Sequence, residues 1–140
     1  ITSGSFATMG AAIPMAIGAS CYDKDAQIIV VTGDGSLELN IQELKTVSQN
    51  NLNIKIFVIN NGGYASIRES QDEYSEGRYT EDEDILDFSK VANAFEMNYE
   101  IIDDYLTIDE QINKVTSNSN PTLIEVVCER DQKIFGPEVI

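Results

Sequence analysis

Apolar and polar positions along the chain fall into blocks that switch between two periods. Ile28-Ile29-Val30-Val31 and Ile54-Lys55-Ile56-Phe57-Val58-Ile59 are short β-branched runs. They end abruptly in small polar residues, Gly33-Asp34-Gly35-Ser36 after the first and Asn60-Asn61-Gly62-Gly63 after the second. Runs of this kind are read as buried strands. Between them Leu37, Ile41, Leu44 and Val47 form an apolar stripe at helical spacing, opposed by Glu38, Gln42, Glu43 and Lys45, which predicts one amphipathic helix starting at the Gly-Asp-Gly turn. Upstream, an Ala-rich segment over 7–19 predicts a closely packing helix with Pro14 early in it, where a missing N–H is tolerated near the first turn. Downstream, Ala65 to Gln71 reads as helix. Leu86, Phe88, Val91, Ala92 and Phe95 mark another, Tyr99 to Ile102 a strand, Ile108 to Val115 a helix, and Thr122 to Cys128 a last strand introduced by Pro121. Strand and helix alternate throughout, which predicts an α/β fold: a doubly wound parallel sheet with helices on both faces.

At 140 residues the chain holds one domain, 1–140. It starts without Met inside a Gly/Ala-rich segment, and is expected to be a piece of a longer enzyme. Its formal net charge of −15 argues against nucleic acid or an anionic membrane as partner. A phosphorylated ligand therefore needs local help from a cation or from backbone N–H groups. No apolar run approaches the roughly 20 residues of a membrane span, and no signal segment opens the chain. Cys21 and Cys128 are read as reduced, buried thiols, which suits a cytoplasmic protein. Residues 69–87 hold nine acidic residues against Arg78 and are read as a solvated, mobile excursion or lid. The tail from Glu129 to Ile140 is expected to be irregular and to lean on another domain.

The chemistry concentrates at the two strand ends. In a parallel sheet with crossover helices, ligands gather beyond the carboxyl ends of the strands. Strand, helix and strand of these lengths bring Asp34 and Asn61 to the same edge. A carboxylate, an amide oxygen and loop carbonyls are hard oxygen donors suited to Mg²⁺ or Ca²⁺. The start of the helix after Gly33-Asp34-Gly35 offers free N–H groups for an anion, and two glycines after Asn60-Asn61 suit a backbone that must approach a ligand closely. Asp34 is placed on a loop, so its replacement is expected to spare folding. Met15 is read as core filler.

Gly33-Asp34-Gly35, a gap of 24 residues, then Asn60-Asn61 resembles the thiamine-diphosphate-binding motif. Thr8-Met9-Gly10, Pro14-x-Ala16-Ile17-Gly18-Ala19, Gln42-Glu43-Leu44 and Asn60-Asn61-Gly62-Gly63-Tyr64 extend the likeness over nearly the whole chain. It is similar to the C-terminal, diphosphate-binding domain of thiamine-diphosphate-dependent enzymes of the acetolactate synthase and 2-oxo-acid decarboxylase type. The resemblance implies thiamine diphosphate and Mg²⁺ as cofactors. The metal would be held by Asp34, Asn61 and the main-chain carbonyl of Gly63. Gly33, Gly35 and Ser36, with Tyr64 and Ala65, would hold the diphosphate. Thr8 lies in the segment beneath the cofactor, Met9 would prop it in its bent form, and the carbonyl of Ala7, where relatives often carry glycine, would accept from its amino group.

The resemblance further implies decarboxylation of a 2-oxo acid such as pyruvate, with transfer or release of the acyl fragment, hence a transferase, lyase or carboligase. By the same resemblance no catalytic residue is expected in this chain. The activating glutamate belongs to a pyrimidine-binding domain of the same enzyme contributed by a partner subunit, so a homo-oligomer is implied and the chain alone is expected to be inactive. The alternatives are a stand-alone β subunit of a split decarboxylase or oxidoreductase, and a non-catalytic nucleotide-binding module. Against the latter, position 38 is Glu where a dinucleotide fingerprint carries its third glycine.

Overall fold

A computed structural model describes residues 1–79 and 85–130. Four strands, β1 (Ile28–Gly33), β2 (Ile54–Asn60), β3 (Asn98–Ile102) and β4 (Thr122–Val127), form one sheet in the order β1-β2-β4-β3. Every pairing is parallel. Six helices accompany them: α1 (Ala12–Tyr22), α2 (Asp34–Glu38), α3 (Glu43–Gln49), α4 (Ala65–Tyr74), α5 (Phe88–Ala94) and α6 (Ile108–Thr116). The α/β architecture expected from the sequence is therefore present, with every expected strand in place.

Side-chain alternation in the strands divides the core between the two faces of the sheet. Val30, Ile54, Ile56, Val58 and Leu123 pack with Ile13 and Ala16 of α1, Leu37 of α2, Leu44 and Val47 of α3, and Phe88 and Ala92 of α5. On the opposite face α6 brings Val115, with Ile108 and Ile112, against Ile102, Ile124, Phe57 and Val126. Lys55 lies on that face at the start of β2, 0% exposed. Its ammonium donates to Asn118 Oδ1 at 3.0 Å, to the Asn120 carbonyl and to Thr122 Oγ1, tying β2 to the connection between α6 and β4. Beyond α6 the cover runs out. Ile29 is 49% and Val31 66% exposed, and β1 pairs on one side only among the described residues.

Four expectations about local structure need correction. The helix drawn through Leu37, Ile41, Leu44 and Val47 is two helices. Between α2 and α3, Asn40 N donates to the Leu37 carbonyl and Glu43 N to that of Asn40, three-residue bonds that tighten the chain. The stripe stays buried across the break, so the hydrophobic period survives although the helix does not. The segment over 7–19 is helical only from Ala12; a short 3₁₀ turn over Gly4–Phe6 precedes it, and Pro14 does sit in the first turn of α1. Cys21 is exposed on the last turn of α1, and Cys128 is half-buried; both thiols are free. Of the acidic stretch, Glu69 to Tyr74 belongs to α4 and Asp87 caps α5, accepting from Lys90 N at 3.1 Å. Residues 75–79 fold back on α4, with Arg78 paired to Asp72 at 2.6 Å and Tyr79 N donating to Gln71 Oε1 at 2.9 Å. Residues 80–84 of the expected lid and the tail from 131 onward lie outside the described residues.

Candidate functional site

Strands β1 and β2 run side by side in parallel with Gly33 opposite Ile59, so their carboxyl ends open at one edge. A run of β-branched residues extends each strand, and it stops where glycine and short polar side chains release the chain from the sheet. Asp34 begins α2 at the end of β1. It is 2% exposed, the most buried carboxylate among the described residues.

Backbone N–H groups surround that carboxylate. Oδ1 accepts from Gly35 N at 2.7 Å, and Oδ2 accepts from Asn61 N at 3.1 Å and Gly63 N at 2.8 Å. The two strand ends are thus joined by one side chain. A buried carboxylate costs free energy unless it is hydrogen-bonded or paired, and these three charge-assisted bonds meet that need. The expectation that Asp34 can be removed without harm to folding is corrected accordingly. Its removal leaves three N–H groups at a strand junction without their acceptor.

The loop after β2 needs its glycines. Gly62 and Gly63 adopt φ of +79° and +98°, the left-handed region that side chains avoid. A second network holds the loop from behind. Asn60 Oδ1 accepts from Gly62 N at 3.4 Å, Asn60 Nδ2 donates to Glu125 Oε1, and the Tyr99 hydroxyl donates to Glu125 Oε2, both at 2.6 Å. Burial, followed by the bond to Glu125, pushes the Tyr99 hydroxyl well above the ordinary phenol range, so it stays a donor. Cys128, whose N–H donates to the Asn60 carbonyl, is also pushed up, first by burial and then by the charge of Asp34.

A cleft of about 210 Å³ opens at this edge, lined by Met9, Gly33, Asp34, Gly35, Ser36, Asn61, Gly63, Tyr64, Ala65 and Ser66. Nine of the eleven residues singled out from the sequence therefore share one cavity wall; Ala7 and Thr8 lie outside that lining. Met9 is 37% exposed, a side chain facing the cleft rather than filling the core. Its segment is fastened to α2, because Gly10 N donates to Ser36 Oγ at 3.0 Å and Asn40 Nδ2 to the Gly10 carbonyl at 2.9 Å. Ala7 adopts φ +44° and its N–H closes onto the Gly4 carbonyl. Glycine would adopt this left-handed conformation without the steric cost that the Ala7 side chain carries. Gly35 has no room for a side chain, since a Cβ there would lie 2.4 Å from Tyr64 Cε1.

The donor set fits a hard divalent cation carrying a diphosphate. Asp34 uses three of about four lone-pair sites and keeps one. The Gly63 carbonyl accepts from Ala65 N at 2.8 Å and keeps its second lone pair, and the Asn61 side chain borders the same cleft. Mg²⁺ asks for few protein oxygens when phosphate supplies the rest. Because α2 is only five residues long, its dipole is short. The cleft would bind an anion through single N–H groups and a cation rather than through a long helix.

Sequence reasoning passed over Arg68, Ser66 and the Asn60–Glu125–Tyr99 chain. Arg68 carries a legible signal, a lone cation one turn into the helix that follows the double glycine. The link from Asn60 to Glu125 joins residues 65 positions apart and emerges only from strand order.

Residues 1–126 match the model of the family described as thiamine pyrophosphate enzyme, C-terminal TPP binding domain. The chain is 32% identical over 131 residues to the mitochondrial acetolactate synthase catalytic subunit of Aspergillus candidus, covering 93% of this chain and 19% of that protein. It is 29% identical over 137 residues to the acetolactate synthase isozyme 1 large subunit of Escherichia coli K12, and 30% over 139 residues to the large subunit of Lactococcus lactis. Each of these alignments covers 96% of this chain and 24% of the relative. The chain thus spans about a fifth to a quarter of the length of the curated relatives it matches. No helix among the described residues is long and apolar enough to cross a membrane.

Proposed function

The chain belongs to the thiamine pyrophosphate enzyme family, as its C-terminal TPP-binding domain, and from that premise we propose that it carries the diphosphate- and Mg²⁺-binding half of an acetolactate synthase-like enzyme. Such an enzyme would decarboxylate a 2-oxo acid such as pyruvate and pass on or release the remaining acyl fragment. The observation that carries this reading is the buried Asp34 carboxylate gripped by the N–H groups of Asn61 and Gly63, because it joins both halves of the motif at one cleft.

In this reading Asp34, the Asn61 side chain and the Gly63 carbonyl hold Mg²⁺. Gly33, Gly35 and Ser36, with Tyr64 and Ala65, border the diphosphate. Bound thiamine diphosphate supplies the electron sink needed for loss of CO₂ from a 2-oxo acid, and the protein supplies placement and electrostatics. The cation offsets the repulsion between a diphosphate and a chain of net charge −15. Met9, whose neighbour Gly10 is tied to Ser36, lines the cleft beside Gly35 and Ser36, a place suited to a prop for a bent cofactor. Thr8 and the Ala7 carbonyl lie just upstream of Met9. The chain contains no His, and the activating carboxylate is assigned to a pyrimidine-binding domain of a partner subunit, so the working enzyme is a homo-oligomer and this chain alone does not turn over.

Calorimetric titration of thiamine diphosphate into the full-length protein tests the metal assignment. Binding should require a divalent cation, and Asn61→Ala should weaken it without altering stability, because the Asn61 side chain borders the cleft. Equal affinity in excess chelator refutes the assignment. Steady CO₂ release from pyruvate by the chain alone refutes the half-site.

A further inference from the structure

The Asn61-Gly62-Gly63 loop has two faces, and each meets a buried charge. The N–H groups of Asn61 and Gly63 point to Asp34, as described. The carbonyls of Asn61 and Gly62 point the other way, to Arg68, which rises from α4 and is 2% exposed. Arg68 Nη1 donates to the Gly62 carbonyl at 2.8 Å, and Nη2 donates to the Asn61 carbonyl at 2.8 Å and the Arg130 carbonyl at 2.6 Å. The peptide unit between Gly62 and Gly63 is consequently held at both ends, its oxygen by the Arg68 guanidinium, with Arg130 Nη1 donating to the same oxygen at 3.0 Å, and its N–H by the carboxylate. Cation, peptide dipole and anion are in series, each polarising the next in a region of low dielectric.

Core packing does not account for this residue. A fully buried guanidinium is expensive to desolvate, and Arg68 Nε is buried with no hydrogen-bond partner among the described residues. What the side chain does achieve is geometric. Its planar fork spans two successive loop carbonyls, which a point-like ammonium cannot match. It holds a double-glycine loop, otherwise among the most freely rotating of backbone segments, in the orientation that turns Asn61 N and Gly63 N toward Asp34.

We propose that Arg68 is a positioning residue for the Asn61–Gly63 loop, fixing the side of the cleft assigned above to metal and diphosphate. The proposal rests on that assignment for its consequence in binding, whereas the clamp itself stands on the loop geometry alone. Two measurements on the full-length protein separate them. The first follows hydrogen exchange without cofactor in wild type, Arg68→Met and Arg68→Lys. Loss of charge-assisted bonds in Arg68→Met should speed exchange at Asn61 and Gly63 by about tenfold or more, while amides of β3 and α6 keep their wild-type rates; Arg68→Lys should fall between. The second measures thiamine diphosphate affinity in saturating Mg²⁺, which should weaken in the same order. Unchanged exchange at Asn61 and Gly63 in Arg68→Met overturns the proposal, as does uniform acceleration through all four strands. Should Arg68→Met fail to fold, Arg68→Lys decides by the same criterion. Altered exchange together with no cofactor binding by wild type would uphold the clamp and refute the functional assignment instead.

Discussion

Replacing Asp34 separates its structural from its chemical role. In Asp34→Ala three backbone N–H groups lose their acceptor, those of Gly35 and Gly63 in buried positions and that of Asn61 in a partly buried one. A buried donor left unsatisfied costs ~1–3 kcal/mol. Water entering from the open side of the cleft can recover much of the loss at Asn61, so the two buried donors set the net destabilisation at roughly 2–6 kcal/mol. Asp34→Asn keeps one acceptor oxygen. With that oxygen facing Asn61 and Gly63, only the Gly35 bond is exchanged for a donor–donor contact, and the cost should be roughly 1–2 kcal/mol. Urea denaturation of the chain measures both. With a slope of about 2 kcal/mol/M, Asp34→Ala should move the midpoint by about 1–3 M and Asp34→Asn by less, at unchanged slope. A midpoint shift in Asp34→Ala worth under about 0.5 kcal/mol would refute the reasoning, since it would mean that the three donors find other partners freely.

Three further outcomes follow from the geometry. Met9→Ala should leave the denaturation midpoint nearly unchanged, because the side chain faces the cleft, while lowering turnover of the full-length enzyme; a core-sized loss of stability, ~2–5 kcal/mol, with normal turnover would contradict the assignment of Met9. Burial holds the Lys55 ammonium below its ordinary pKa, so the folded state binds fewer protons than the unfolded one and stability should rise with pH as the ordinary lysine range is approached from below; Lys55→Met should flatten that rise in a pH series of melting curves. Asp87 is depressed by its bonds from Ser89 and Lys90, so its contribution is present above the ordinary carboxylate range and lost as pH falls through it. The difference between wild type and Asp87→Ala should accordingly vanish on acidification.

Much of the fold could be read from the sequence, because its elements are written in local periodicity. Each β-branched run became a strand, and the stripe of Leu37, Leu44 and Val47 became core. The break between α2 and α3 could not be read: Asn40, which lies in it, donates to the Gly10 carbonyl thirty residues away, and no window of the sequence contains both. Exposure of Cys21 was hidden for a related reason. The small residues of α1 do not fix which side meets the sheet, and the helix turned Ile13 and Ala16 inward instead. The site was legible where spacing alone carried it: Asp34 and Asn61 fall together because strand, helix and strand return the chain to its starting edge. Arg68 acts on backbone carbonyls, which carry no residue signature, and its role needed coordinates.

The open flank of the sheet has a practical consequence. Strand β1 presents one row of N–H and C=O groups that pair with nothing among the described residues, beside the exposed side chains of Ile29 and Val31. Such a border is a template for any extended peptide, with hydrogen bonds along the backbone and apolar contact above it. Handled as an isolated chain, the protein carries its own nucleus for edge-to-edge stacking, so its association should grow with concentration. Placing a lysine at position 29 or 31 is then the most direct way to keep it in solution, at no cost to the cleft on the neighbouring strand ends.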